Sequence, residues 1–334
     1  MTVTCFGELL VRLTPPGNRL MVQADSLDLT VGGAEANVAV ALASLGHAVR
    51  FTGMVCDNPL GDRALAALRS TGVDVRHLAR APGRMGLYFL ENGAGSRPST
   101  ITYDRAGSAF AEADPSSIDF AAALDGSRLL HSGGITPALG PKGVALAKAA
   151  HQAAKAANVP ICFDGNYRGA LWSAWESNPR AILYDLVSDA TILIGNHRDI
   201  SLLLGRAFSG DGADRRREAA EAAFDAFPNL KLIASTARQI VSSGHHRIAA
   251  RVDGRDAAHQ TAEIDVTGIV DRIGTGDAFA GGAIHGWIEG GDEKAMAEGG
   301  LALCALKHSI PGDMPLIDRA RLAAFAPGSA DVVR

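Results

Sequence analysis

The sequence predicts an α/β fold: a mainly parallel sheet with helices on both faces, and a small β-rich flap beside it. Three observations carry that prediction. Short apolar β-type runs alternate with alanine-rich helical stretches along most of the chain. Two segments, about 14–31 and 83–105, are polar or β-rich and have no helix between their strands. A glycine-punctuated turn within 269–282 joins an apolar run to a helix of small residues.

The alternation assigns strands to 3–13, 49–55, 86–91, 128–131, 159–164, 191–195, 231–234 and 247–252. Helices are expected over 34–45, 60–70, 141–157, 179–187, 213–226, 275–289 and 292–307. The two helix-poor segments are read as strands that leave the main sheet and form a lid. No linker or internal repeat divides the chain, so 1–334 is expected to be one domain, with a frayed tail after Ala326.

Bulk properties narrow the function. A chain of 334 residues, 47% hydrophobic, can bury a large core. The net charge of -4 argues against a nucleic-acid surface, and the cluster Arg215-Arg216-Arg217 is offset at once by Glu218 and Glu221. Cys5, Cys56, Cys162 and Cys304 lie too far apart in sequence for a metal-type pair, and no histidine has zinc-type spacing. Glu8 and Arg12 interrupt the first apolar stretch, and no run has the length of a membrane span. A cytoplasmic protein without membrane or nucleic-acid partners is expected.

The chemistry concentrates at the two ends. In Asp271-Arg272-Ile273-Gly274-Thr275-Gly276-Asp277, the glycines free backbone N–H groups to converge at a helix N-terminus, where the helix dipole also favours an anion. Asp277 places a carboxylate beside that point, which suits a base next to a phosphoryl group in transit; the alternative is an Asp in the first helical turn. Gly32-Gly33-Ala34-Glu35-Ala36-Asn37 brings backbone close to a ligand and offers the Asn37 amide to hydroxyls.

Together these two segments resemble the N- and C-terminal signatures of the ribokinase-like (PfkB) carbohydrate kinases. Within that family the chain looks most like the 2-keto-3-deoxygluconate kinases. That closer resemblance rests on Phe6-Gly7-Glu8-Leu9-Leu10 with Arg12 and Pro15-Pro16, and on Gln23-Ala24-Asp25-Ser26. It continues in Tyr103-Asp104-Arg105-Ala106-Gly107-Ser108-Ala109, Phe163-Asp164-Gly165-Asn166-Tyr167-Arg168 with Leu171-Trp172, and Lys307-His308-Ser309-Ile310-Pro311-Gly312-Asp313.

The resemblance implies a three-layer α/β/α sandwich with a β lid, and ATP-dependent phosphorylation of the C6 hydroxyl of 2-keto-3-deoxygluconate, with ATP and Mg2+ as cofactors. It implies that Asp277 accepts the hydroxyl proton and that Gly274, Thr275 and Gly276 form an anion hole. Gly33, Asn37, Tyr88, Tyr103, Arg105, Arg168 and Asp313 are implied at the sugar. Asn196, Asp199, Arg238 and Lys307 are implied at the nucleotide, with Asp199 standing where relatives carry Glu. Arginines suit a sugar acid because a guanidinium meets a carboxylate through two hydrogen bonds. Alternatively, Arg105 pairs with Asp104 or Glu112, Arg168 pairs with Asp164, the tyrosines cover core, and Asp313 shapes a turn. The lid also implies a homo-oligomer through its strand edges.

Three rivals remain at this level. One is a kinase of a neutral sugar such as fructose or ribose. Another is a catalytically silent sugar-binding regulator, against which the intact Asp277 speaks. A nicotinamide-dependent oxidoreductase is weaker, because no Gly-x-Gly-x-x-Gly follows the first strand. No Walker-type phosphate loop occurs either.

Overall fold

The computed structural model describes residues 2–328; residues 329–334 of the expected tail lie outside the described residues. The chain begins with β1 (Thr2–Phe6), β2 (Leu10–Thr14), β3 (Asp28–Gly32), α1 (Ala34–Ser44), β4 (Ala48–Cys56), α2 (Pro59–Arg69) and β5 (Leu78–Ala81). Next come β6 (Gly86–Glu91), β7 (Thr100–Asp104), α3 (Phe120–Leu124), β8 (Ser127–Gly133), α4 (Ile135–Ala138) and α5 (Pro141–Ala156). The middle holds β9 (Ile161–Asp164), α6 (Gly169–Trp172), α7 (Pro179–Ser188), β10 (Ile192–Ile194), α8 (His197–Leu204) and α9 (Gly212–Ala226). It closes with β11 (Leu232–Ser242), β12 (His245–Gly254), β13 (Ala258–Gln260), β14 (Ile264–Thr267), α10 (Thr275–Ile288), α11 (Glu293–Lys307) and α12 (Arg319–Ala323).

The large sheet runs β13-β12-β11-β10-β9-β8-β1-β4-β5, with β14 also on β12. From β11 through β5 all neighbours are parallel, and the β11–β14 end is antiparallel. From β1 the chain builds outward in both directions, to β4 on one side and β8 on the other. The carboxyl ends of β1 and β8 therefore form a switch point, where open α/β sheets leave a crevice. A second sheet, β3-β2-β6-β7, is the lid.

Two expectations need correction. The run 3–13 is not one strand: it breaks at Gly7-Glu8-Leu9, so β1 enters the large sheet and β2 starts the lid at Leu10 rather than near residue 14. The cause is packing against the Glu35 carboxylate, for a Cβ at Gly7 would lie 2.1 Å from its Oε2. The strand expected at 231–234 continues to Ser242, because its second half pairs antiparallel with β12.

Local chemistry sets the helix starts. Asn58 and Asn178 cap α2 and α7, each followed by Pro at the first helical position, and Asp292 caps α11. Helix α1 is buried nearly throughout, in keeping with its apolar sequence. Cys5 and Cys162 are buried core thiols. Among the described residues, no helix is long and apolar enough to cross a membrane.

Helices α1, α10 and α11 meet through small residues. A Cβ at Gly281 would lie 2.6 Å from that of Ala41, and one at Gly282 would lie 2.4 Å from the carbonyl oxygen of Gly299. The second contact is against backbone, which cannot rotate away. Gly282→Ala is expected to cost about 1–3 kcal/mol by overpacking. A denaturation midpoint equal to that of the parent chain would contradict this backbone contact.

Candidate active site

A cleft of about 1090 Å³ opens between the lid and the carboxyl ends of the parallel strands. Its floor is the start of α10. Gly274 adopts φ +79°, and a Cβ there would lie 2.0 Å from the carbonyl oxygen of Asp313, so both conformation and space require glycine. At Gly276 a Cβ would meet nothing within 4 Å, so the backbone is open to the cleft. Asp277, in the first turn of α10, accepts a 2.6 Å hydrogen bond from Asn37 Nδ2. The two signature segments, 240 residues apart, thus meet side chain to side chain. Burial, together with Asp313, pushes the Asp277 carboxyl up to about 6, against the pull of the Asn37 hydrogen bond.

Gly33 brings α1 against the loop after β1, where a Cβ would lie 2.2 Å from the Glu8 carbonyl oxygen. Glu35, two positions on, is buried beneath the cleft with no hydrogen bond to Oε1.

Arg12 joins the lid to this floor. From β2 its Nη1 lies 2.6 Å from Asp271 Oδ2 and 3.0 Å from Asp313 Oδ1, and its Nε donates to Thr14. Tyr88 on β6 donates to the other Asp313 oxygen at 2.5 Å. Asp271 also accepts the N–H groups of Ile273 and Gly312. Burial works against this guanidinium, and the two carboxylates outweigh it, raising its pKa. Asp313 and Tyr88 therefore hold each other and Arg12 at the edge of the cleft.

Arg105 has a partner that neither sequence alternative named. Its Nε and Nη2 donate to Glu8 Oε2 within the protein, and Ser108 takes Glu8 Oε1. Asp104 is occupied by Arg84, and Glu112 by Lys142. Arg105 still lines the cleft with Nη1 uncommitted, its guanidinium 5.9 Å from the ring centre of the half-exposed Tyr103. Arg168 also lines the cleft, but exposed, and its Nη1 donates only to the Tyr167 carbonyl. The expected alternative, a pair with Asp164, does not form.

Asn196 and Asp199 cap α8, a helix that periodicity did not reveal. Asp199 Oδ2 accepts the Asn196 N–H at 2.8 Å, and Asn196 Oδ1 accepts that of Arg198. Both residues line the cleft, as does Arg238 on β11. Lys307 does not. It is fully buried, its Nζ donates to the Ile310 carbonyl, and burial lowers its pKa. Its position at the end of α11 places it behind the floor, where Asp271 and Asp313 balance its charge.

Sorting the cleft arginines by partner reveals groups the motifs passed over. Arg12, Arg105 and Arg251 are buried and paired with carboxylates. Arg168, Arg198, Arg238 and Arg272 line the cleft and form no ion pair among the described residues. Arg272 sits inside the glycine element itself, so its nearness to the anion loop was readable from sequence. Away from the cleft, His47, His285 and Glu289 also converge, but Arg319 already holds Glu289 at 2.7 Å.

Because Arg12 serves two buried carboxylates, removing it leaves both without their cation. Arg12→Met is expected to destabilise the fold by about 3–5 kcal/mol. Urea denaturation measures this, and a loss below about 1 kcal/mol would show that the pair contributes little.

The chain matches the model of the pfkB family carbohydrate kinases over residues 2–317. It is 33% identical to a 2-dehydro-3-deoxygalactonokinase of Haloferax volcanii, over 93% of this chain and 92% of that one. It is 29% identical to a 5-dehydro-2-deoxygluconokinase of Clostridium perfringens, over 86% of this chain and 82% of that one. The crystal structure of a 2-dehydro-3-deoxygluconokinase from Thermotoga maritima superposes with a TM-score of 0.91 at 37% identity, covering 97% of this chain and 98% of that one. With the meeting of both signature segments at Asp277 and the lid over a parallel sheet, these matches establish that the chain belongs to the pfkB family of carbohydrate kinases.

Proposed function

We propose that this kinase transfers the γ-phosphoryl group of ATP to the C6 hydroxyl of 2-keto-3-deoxygluconate, giving 2-keto-3-deoxy-6-phosphogluconate. The observation that carries the chemistry is Asp277, held by Asn37 beside the N-terminus of α10. As the new O–P bond forms and the β–γ O–P bond breaks, the hydroxyl proton passes to Asp277. An ordinary carboxylate cannot deprotonate a free alcohol beforehand, but a loose transition state lets the proton leave late. The N–H groups of Gly274, Thr275 and Gly276 stabilise charge on the phosphoryl oxygens.

An acidic sugar is supported by the arginines. Arg168 forms no ion pair among the described residues, and Arg105 lines the same cleft with Nη1 outside its bonds to Glu8. Gly33, Asn37, Tyr88 and Tyr103 complete the sugar side. Asp313 acts by holding Tyr88 and Arg12. The relatives above bear the names of keto-deoxy sugar acid kinases, which favours the same class here.

Arg238 and Arg272 suit the triphosphate. Partial burial and the neighbouring Arg272 both press the Arg238 pKa down, as expected of two like charges with no counterion. Asp164 at the end of β9 and Asp199 in the first turn of α8 form no ion pair among the described residues, and each raises the demand for a cation. Burial first, then Asp277 and Asp199, pushes the Asp164 pKa well up. These oxygen donors and Asn196 fit Mg2+ held through water with the nucleotide. Bound Mg2+ would neutralise charge on the phosphates.

The lid edges β3 and β7 are unpaired among the described residues, which supports a homo-oligomer joined there. A monomer at all concentrations in sedimentation would count against it.

The main test is ADP release with MgATP and a panel of 2-keto-3-deoxygluconate, its galacto epimer, 5-dehydro-2-deoxygluconate, fructose and ribose. Preference for 2-keto-3-deoxygluconate is expected, and preference for fructose or ribose would overturn the acidic pocket. Asp277→Asn should lower kcat by about 10²–10⁴ with little change in sugar affinity. Arg168→Ala should raise KM for the acid by about tenfold or more, and leave fructose unaffected. Since catalysis needs ionised Asp277, kcat/KM should fall as pH drops through about 6; a flat profile from pH 7 to 5 would exclude it as the base.

A further inference from the structure

Outside the cleft, the ends of α1 and α10 bring three metal-binding side chains together. The two helices run parallel: Asn37 meets Asp277, Ala41 meets Gly281, and just past the end of α1 His47 meets His285. Helix α1 is capped at Leu45, and Gly46, at φ +82°, turns the chain so that His47 reaches α10. His285 and Glu289 stand four residues apart at the end of α10, on one face. His47 Nε2 lies 2.7 Å from His285 Nδ1 and 4.0 Å from Glu289 Oε1, and one ligand atom of each residue falls within 4.8 Å of the others. Sequence spacing conceals this set, because His47 and His285 are 238 positions apart.

The place attracts a cation. Both helices end here, so the negative ends of two helix dipoles converge. Arg319 already answers that field: its Nε donates to the Leu45 carbonyl at 2.6 Å and its Nη2 to Glu289 Oε1 at 2.7 Å. Glu289 Oε2 accepts no hydrogen bond among the described residues, so an ion can take one oxygen while Arg319 keeps the other. Such a second donor commonly steadies a metal-bound carboxylate. Burial lowers the pKa of both rings, so at pH 7 each is a neutral imidazole with a lone pair. Two ligands of a tetrahedral ion lie about 3.3 Å apart, so the rings need to part by about half an ångström. The ring that donates the present hydrogen bond then carries its proton on its other nitrogen.

We propose that His47, His285 and Glu289 bind one divalent transition-metal ion of the zinc type, with water as fourth ligand, clamping the ends of α1 and α10. Two imidazoles and a carboxylate suit Zn2+ or Co2+, whereas Mg2+ takes oxygen ligands. None of the three residues lines the cleft, and about 12 Å of helix separates His285 from Asp277. The site is therefore distinct from the place where MgATP is proposed to bind.

The test is calorimetric titration of ZnCl2 into the chelator-treated full chain, without nucleotide. One Zn2+ per chain is expected, with a higher melting temperature when zinc is present. His47→Ala and His285→Ala should each weaken zinc binding by about tenfold or more and abolish the zinc-dependent rise in melting temperature. Glu289→Gln, on the half-exposed ligand, keeps an acceptor for Arg319 and should weaken zinc likewise, which covers a histidine variant that fails to fold. Co2+ in place of zinc should give the strong visible absorption of a four-coordinate ion in the parent chain and not in the variants. Excess Mg2+ should leave zinc in place. Zinc that survives in all three variants, or that yields to Mg2+, lies elsewhere and overturns the site. No binding by the parent chain, or a six-coordinate Co2+ spectrum marking an adventitious ion only, overturns it as well.

Discussion

The buried charge pairs around Arg12 tie together three parts of the chain that are far apart in sequence. The lid strand β2, the start of the anion loop at Asp271 and the loop at Asp313 converge on one guanidinium. Such an arrangement gains little net stability against an apolar equivalent, because three charged groups must be stripped of water. Its value is positional. A hydrophobic contact tolerates sliding, whereas a guanidinium bonded to two carboxylates accepts only a narrow range of distances and angles. The lid is thereby set at one height over the cleft, and the glycine loop is fixed relative to it.

A division of labour among cations follows. Buried arginines with partners, Arg12, Arg105 and Arg251, hold the walls. Arg168, Arg198, Arg238 and Arg272, which form no ion pair among the described residues, line the cleft, where their charge is available to anionic ligands. The sequence distinguishes these classes poorly, since both are single arginines among apolar and small residues. The carboxylates divide similarly: Asp271 and Asp313 serve structure, whereas Asp277, Glu35 and Asp164 remain without a cation and are pushed toward protonation by burial and by one another.

Much of the fold was legible because periodicity and punctuation agree along the chain. The long helices and the parallel strands lie near where the alternation places them. What escaped was decided by tertiary contact. The break after β1 depends on Glu35, which lies in a different element. Helix α8 is short and starts on a reciprocal Asn196–Asp199 cap rather than on an apolar stripe. The strand expected over 247–252 begins earlier, at His245, and Ser243-Gly244 makes the turn before it. At the site, the two glycine-rich motifs come together at the cleft, since their residues Asn37 and Asp277 touch. Glu8 as the partner of Arg105, and Lys307 behind the floor, depended on contacts between residues 97 positions apart or on burial at a helix end, neither of which spacing encodes.

Helix α10 carries Asp277 at one end and the glycine seam along its length. Helices that meet backbone to backbone cannot slip past one another as helices separated by long side chains can, because no rotamer change is on hand to absorb the shift. The carboxylate at the head of α10 is thus fastened to a helix packed backbone to backbone against its neighbour. In mechanical terms the seam is an anvil beneath Asp277, so the position of that carboxylate is set by backbone packing as well as by the Asn37 hydrogen bond.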